Sequence, residues 1–260
     1  MTTQRRRQVL VTWLALFALV AGCAILGLEE TPESLFRQGR ELYQAGRYDE
    51  AIAKFEDVIH KDPRYWLAYL YLARSYIAKL AWGNAITNAR KAFELAPQGE
   101  DVVLVFAEAL FGGGVDALRR KQFTEAIGNF VEYIRLKPTD PRGYLNVGKA
   151  YLGNGSYGDA LSSFVRGLAQ GGEVAVRQEL LQGLLDGGTQ ALSRGDARSA
   201  IGFFSEYVRV DPRNFSAYLN LGKAYLHGGE VANGLSALRR ALELSPGNAE
   251  ALRLLQGGGR

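Results

Sequence analysis

The stretch Arg37–Pro63 reads RQGRELYQAGRYDEAIAKFEDVIHKDP. With the residues just before it, it forms two short helices and two breaks. Leu35, Phe36, Leu42 and Tyr43 recur at helical spacing, and Gly46 interrupts them. Ala51, Ile52, Phe55, Val58 and Ile59 resume the pattern, and Pro63 closes it, because proline cannot extend a helix interior. The closing proline returns on a ruler. Pro63 and Pro97 are 34 residues apart, as are Pro212 and Pro246, and Gly172 stands 34 residues after Pro138. A fixed period of this size marks a solenoid, whose units cannot bury their apolar faces alone and must stack.

Other columns keep the register. A small residue recurs as Ala51, Ala85, Ala126, Ala160, Ala200 and Gly234, and a second as Gly39, Ala73, Gly114, Gly148, Gly188 and Gly222. A large apolar column runs Phe55, Phe130, Phe164, Phe204 and Leu238, with Ala89 as the exception. Small residues in register with large ones let two helices approach and interlock. Gly155, Gly195 and Gly229 repeat the turn marked by Gly46.

Arg37–Pro63 and the segment YLNVGKAYLGNGSYGDALSSF, Tyr144–Phe164, resemble the tetratricopeptide repeat family. The resemblance implies an all-α fold, a right-handed α-solenoid of six helical hairpins at 32–65, 66–99, 107–140, 141–174, 181–214 and 215–248. A second order overlies the first. Residues 107–174 match 181–248 at 27 of 68 positions, so the building block is a pair of repeats used three times. The residues between pairs, 100–106 and 175–180, are expected to lengthen the first helices of the third and fifth repeats by about two turns. Gly112–Gly114 and Gly187–Gly188 fall in those long helices, and two readings stand: close helix packing, or a hinge between pairs. Residues 249–260 are expected to form a short capping helix and a frayed tail.

Residues 1–30 do not follow the repeat. Arg5, Arg6 and Arg7 precede an apolar run from Val9 to Leu28, the pattern of an export signal. Val20-Ala21-Gly22-Cys23 looks like a bacterial lipobox, which implies a signal peptide over 1–22, lipidation at Cys23 and a short linker over 23–31. Cys23 is the sole cysteine, so no intrachain disulfide forms. Apolar residues continue past the cysteine, and the run of about 20 residues is long enough to span a bilayer as an uncleaved anchor helix over 9–28. Either reading places the repeats on a membrane facing the periplasm, the outer membrane being favoured by Ala24 and the inner membrane by an uncleaved helix. A third reading buries the segment as an N-terminal helix.

The formal net charge is +4, but cleavage before Cys23 removes three arginines and no acid, leaving +1. A near-neutral chain gives no electrostatic case for nucleic acid. His60 and His227 lie in different repeats, neither with a cysteine or second histidine at metal-ligand spacing. His60 suits the end of its helix, where a cation meets the dipole. No lysine–serine pair follows Gly112–Gly114, so it is no phosphate loop. The sequence implies no catalytic residue, cofactor or metal.

In the family the first helix of each repeat lines a concave surface. Carried to this chain, the resemblance places Arg40, Tyr43, Leu70, Arg74, Phe111, Asn146, Lys149, Asn220, Lys223 and His227 along a protein-binding groove. An apolar ladder with basic studs Arg40, Arg74, Lys149 and Lys223 would suit an amphipathic or acidic-apolar partner segment. Asn146 and Asn220 resemble the asparagines of carboxylate-clamp members, but Phe111 and Leu185 fill the slots of the clamp lysine, so a terminal-carboxylate clamp is not expected. The layout resembles lipoproteins that assist envelope machines, including pilotin-like proteins of type IV pilus secretins. It implies a membrane-tethered, non-enzymatic assembly scaffold, or a regulatory adaptor of a cell-wall enzyme.

Overall fold

The computed structural model describes residues 30–257; the export-signal and lipidation readings, Cys23 included, lie outside them. Thirteen helices follow one another among the described residues, and no strand is present there. They pair as α1 (Pro32–Gln44) with α2 (Tyr48–Lys61), α3 (Trp66–Ala78) with α4 (Trp82–Leu95), and α5 (Glu100–Arg119) with α6 (Phe123–Leu136). The series continues with α7 (Pro141–Asn154) and α8 (Tyr157–Ala169), α9 (Val174–Ser193) and α10 (Ala197–Val210), α11 (Phe215–His227) and α12 (Val231–Leu244), closing on α13 (Ala249–Gly257).

Local chemistry sets the ends. Thr31 caps α1, its hydroxyl accepting from the Ser34 amide at 3.2 Å with Pro32 at the first helical position. Asp140, Asp196 and Asn214 cap α7, α10 and α11 in the same way. Inside each hairpin the chain turns through one left-handed residue. Four of the six are glycines (Gly46, Gly155, Gly195 and Gly229), while Leu80 at φ 56° and Lys121 at φ 60° adopt the conformation against their side chains.

The two small-and-large columns meet in space. A Cβ added to Gly39 would fall 2.6 Å from the Phe55 ring, and at Gly114, Gly148 and Gly188 it would fall 2.7, 2.5 and 2.7 Å from Phe130, Phe164 and Phe204. The second hairpin solves the same contact differently. Ala73 stands in the glycine slot and Ala89 in the phenylalanine slot, both fully buried. The Ala89 exception is thus one half of a compensated pair.

Helices α5 and α9 run 20 residues, against 13 or 14 for the other paired helices, so the additional residues extend the first helices of the third and fifth hairpins. Both are unbroken through their glycines. Gly112 backs onto the Trp82 ring, and Cβ atoms on Gly113 and Gly187 would stand 2.8 and 2.6 Å from Ile86 and Phe203. These glycines are occupied by close packing, which carries the first of the two readings.

Successive helices pack in order, and neighbouring first helices (α1, α3, α5, α7, α9 and α11) also approach one another along the whole array. Among second helices only α8 and α10 do so closely. A stack whose first helices touch while its second helices splay curves with the first helices inside. They form the concave wall.

Candidate functional site

The concave wall begins with an aromatic cluster. Phe36 and Tyr43 meet the Tyr71 ring edge-on, at centroid distances of 5.3 and 5.6 Å. Arg40 and Arg74 both lie over Tyr71, their guanidinium carbons 5.8 and 5.2 Å from its centroid. Burial pushes the Tyr43 hydroxyl above its usual pKa, more than the nearby Arg74 charge pulls it down.

Further along, α5 fronts a cleft of about 560 Å³ lined by Trp82, Leu104, Glu108, Phe111, Tyr133 and Arg142 among others. Phe111 is half-buried against Phe130 and Tyr133, with Arg142 5.7 Å from its ring centroid. Within the lining of the cleft Asp140 ties α6 to α7. Its carboxylate accepts from the Tyr133 hydroxyl at 2.5 Å, from the Arg142 guanidinium at 2.7 Å, and from the Arg142 amide at 2.9 Å as the cap of α7. Burial alone would raise the Asp140 carboxyl, but the bonds from Arg142 and Tyr133 outweigh it and hold the pKa below the usual carboxylate value. Burial, then the Asp140 carboxylate, drive the Tyr133 phenol upward.

Three of the four basic studs are paired with acids. Arg74 pairs with Asp101 at 3.2 Å, Lys149 with Glu179 at 2.8 Å, and Lys223 with Glu250 at 2.7 Å. Asp101 and Glu179 sit on the added turns of α5 and α9, and Glu250 on α13. Each pair of hairpins is therefore linked to the next element by one cation from its second hairpin. Arg74, Lys149 and Lys223 thus face acids of the same chain, and Arg40 alone of the four studs has no acid partner among the described residues.

Leu70 is corrected as a groove residue: it is 1% exposed, inside the core shared with Ala85, Val102 and Phe106. Asn146 donates to the Arg142 carbonyl of its own helix at 2.9 Å, and Asn220 is half-buried on α11. His227 is exposed at the end of α11, where its Nε2 lies 4.0 Å from the Cβ position of Gly195, beside the turn of the preceding hairpin. Tyr43, Arg40 and Phe111 remain on the wall. The residues that sequence reasoning missed are Tyr71, Leu104 and Glu108. Leu104 and Glu108 could have been found by stepping back from Phe111 in intervals of three and four.

Comparison with known proteins places this architecture. Among curated proteins, the chain is 24% identical over 225 residues to a BBSome complex member BBS4 homolog of Drosophila melanogaster, covering 82% of this chain and 44% of that protein. It is 29% identical over 201 residues to Protein FlbA of Caulobacter vibrioides, covering 76% of this chain and 31% of that one. The chain thus spans less than half the length of either relative. Among solved structures, Naa15/Naa10 bound to HypK-THB overlays on 97% of this chain and 38% of its own at a TM-score of 0.52 and 15% identity, a likeness of fold. The tetratricopeptide repeat sequence model matches three times, over residues 36–100, 111–174 and 185–249. Each match spans two hairpins, and the gaps between matches fall in the long helices α5 and α9. With most of its length matched in this way, the chain belongs to the tetratricopeptide repeat family.

Proposed function

We propose that this protein is a non-enzymatic scaffold that holds a segment of a partner protein against its first-helix wall. The observation that carries the reading is the incompletely covered apolar strip of that wall: Tyr43, Ile77, Phe111, Val115, Leu192 and Leu226 all keep solvent-accessible surface. A buried core has no use for such residues on an inner surface, whereas a partner's side chains would cover them. The finer reading is a chain tethered to a bacterial membrane through Cys23, serving the assembly of a cell-envelope machine. Its support is the arginine-led apolar run and the lipobox-like Val20–Cys23. Among the described residues no helix is long and apolar enough to cross a membrane.

Photocrosslinking from Tyr43 and Val115 in intact cells tests the scaffold. One recurrent adduct from the wall, absent from Arg135 and Arg209 on second helices, is expected. Adducts no more frequent from the wall than from those positions would remove the reading. An envelope-assembly protein in the adduct supports the finer reading, and a peptidoglycan hydrolase replaces it with the regulatory one. Mass spectrometry of the mature N-terminus tests the tether separately. A diacylated Cys23 is expected, and an intact residue 1 would contradict it.

A further inference from the structure

We infer that the concave face of α5 receives a basic segment flanked by apolar residues, the opposite sign to the acidic segment that the sequence alone favours. The inference rests on the scaffold reading above and specifies the partner's chemistry. Counting the cations along the wall leads to acids. Arg74, Lys149 and Lys223 are neutralised by Asp101, Glu179 and Glu250. Arg142 is spent on Asp140, and Arg119 on Asp116 at 2.6 Å. Arg40 keeps its charge at the start of the array, over the Tyr71 ring.

Two acids of the middle wall, Glu108 and Asp186, have no such partner among the described residues. Glu108 is exposed and forms no ion pair among the described residues. Asp186, on α9, takes only a hydrogen bond from the Gln182 amide at 2.8 Å. Lys137 lines the same cleft and forms no ion pair among the described residues; it stands at the C-cap of α6, where its charge faces the carbonyl end of that helix. The carboxylates without a cation partner on this face are thus Glu108 on α5 and Asp186 on α9, and Arg40 is the cation without an acid partner at the start of the array.

Apolar surface coincides with that negative charge. Leu104 is 46% exposed and Val115 43%, both large aliphatic side chains left open to solvent. Leu104, Glu108, Phe111 and Val115 follow at intervals of four, three and four, so they share one face of α5. Glu108 sits between two open aliphatic positions, at the edge of the cleft floored by Phe111. A lysine or arginine of a bound segment would meet Glu108 while its apolar neighbours cover Leu104 and Val115. An acidic residue next to Glu108 would bring like charges together in a partly dry site, which is strongly disfavoured, and Lys137 at the α6 terminus is the cation it would have to reach instead.

The test uses the full chain and three synthetic peptides of one leucine-and-phenylalanine spacing, with Lys, Gln or Glu at the central position. The lysine peptide is expected to bind about ten-fold tighter than the glutamate peptide, and Glu108→Lys to reverse the order. Glu206→Lys, on the second helix α10, should leave the order unchanged. A glutamate peptide that binds tighter, or an order indifferent to Glu108→Lys, overturns the inference. If binding in that case is still lost in Leu104→Asp and Val115→Asp, the groove survives and only the charge assignment falls. If no peptide binds, or binding persists in both aspartate variants, the inference and the groove reading fall together.

Discussion

At the scale of single residues, one contact between residues sixteen positions apart recurs inside the hairpins: Gly39 with Phe55, Gly114 with Phe130, Gly148 with Phe164. Gly148→Ala would drive a methyl group into the Phe164 ring and is expected to cost about 1–3 kcal/mol, as over-packing does. In a Phe164→Ala background the same change should become neutral or favourable, because alanine is the better helix former by about 0.5–1 kcal/mol. Urea unfolding of the four chains checks the change of sign. Leu80 carries a different cost. It is 68% exposed and left-handed where most hairpins use glycine, so Leu80→Gly should stabilise by about 0.5–1 kcal/mol, read as a higher urea midpoint. Asp140 predicts a pH effect. Its pKa is lower folded than unfolded, so its contribution is present above the unfolded value of about 3.9 and is lost as pH falls through the folded one. Asp140→Asn should flatten the acid side of the stability profile and leave its neutral side parallel to the original.

At the scale of elements, the hairpins were legible in the sequence because period, glycine turns and closing prolines all mark the backbone. The added turns of α5 and α9 were legible too, since the offset between repeat pairs exceeds two ordinary periods. The function of the glycines in those helices was not. Whether a glycine marks a hinge or a close contact depends on what stands opposite, and Trp82 opposite Gly112 is a feature of packing between hairpins. With Trp82, Ile86 and Phe130 filling the space beside them, amides across Phe111–Leu118 should exchange as slowly as those in the flanking turns of α5 and α6. Hydrogen exchange by mass spectrometry measures this, and faster exchange confined to that stretch would restore the hinge. The ion pairs between elements escaped sequence reading for a related reason. Lys149 and Glu179 are 30 residues apart, and only the curvature that brings α7 beside α9 makes them neighbours. Lone basic residues on a helix face thus read as a free basic surface when the neighbouring helix had already neutralised them.

At the scale of the whole molecule, the six hairpins among the described residues form one wall of first helices and one of splayed second helices, closed by α13. The first-helix wall keeps open side chains such as Phe111 and Val115 among its own ion pairs, and the second helices carry exposed pairs such as Arg209–Glu206 and Arg240–Glu243. Exposed pairs of this kind contribute about 0–1 kcal/mol and serve chiefly to solvate the outer face. The fold was readable from repetition, but the working face was readable only in part. Tyr43 and Phe111 stood out by their column, whereas Leu104 lies on the added turns, where the repeat offers no template, and Glu108 stands only one residue into its repeat. The most direct measurement is a hydrogen-exchange footprint of the full chain, alone and with the partner recovered by crosslinking. Slowed exchange concentrated in α1, α3, α5, α7 and α9 is the predicted result. Protection that falls instead on α2, α4, α6, α8 and α10 would contradict the account.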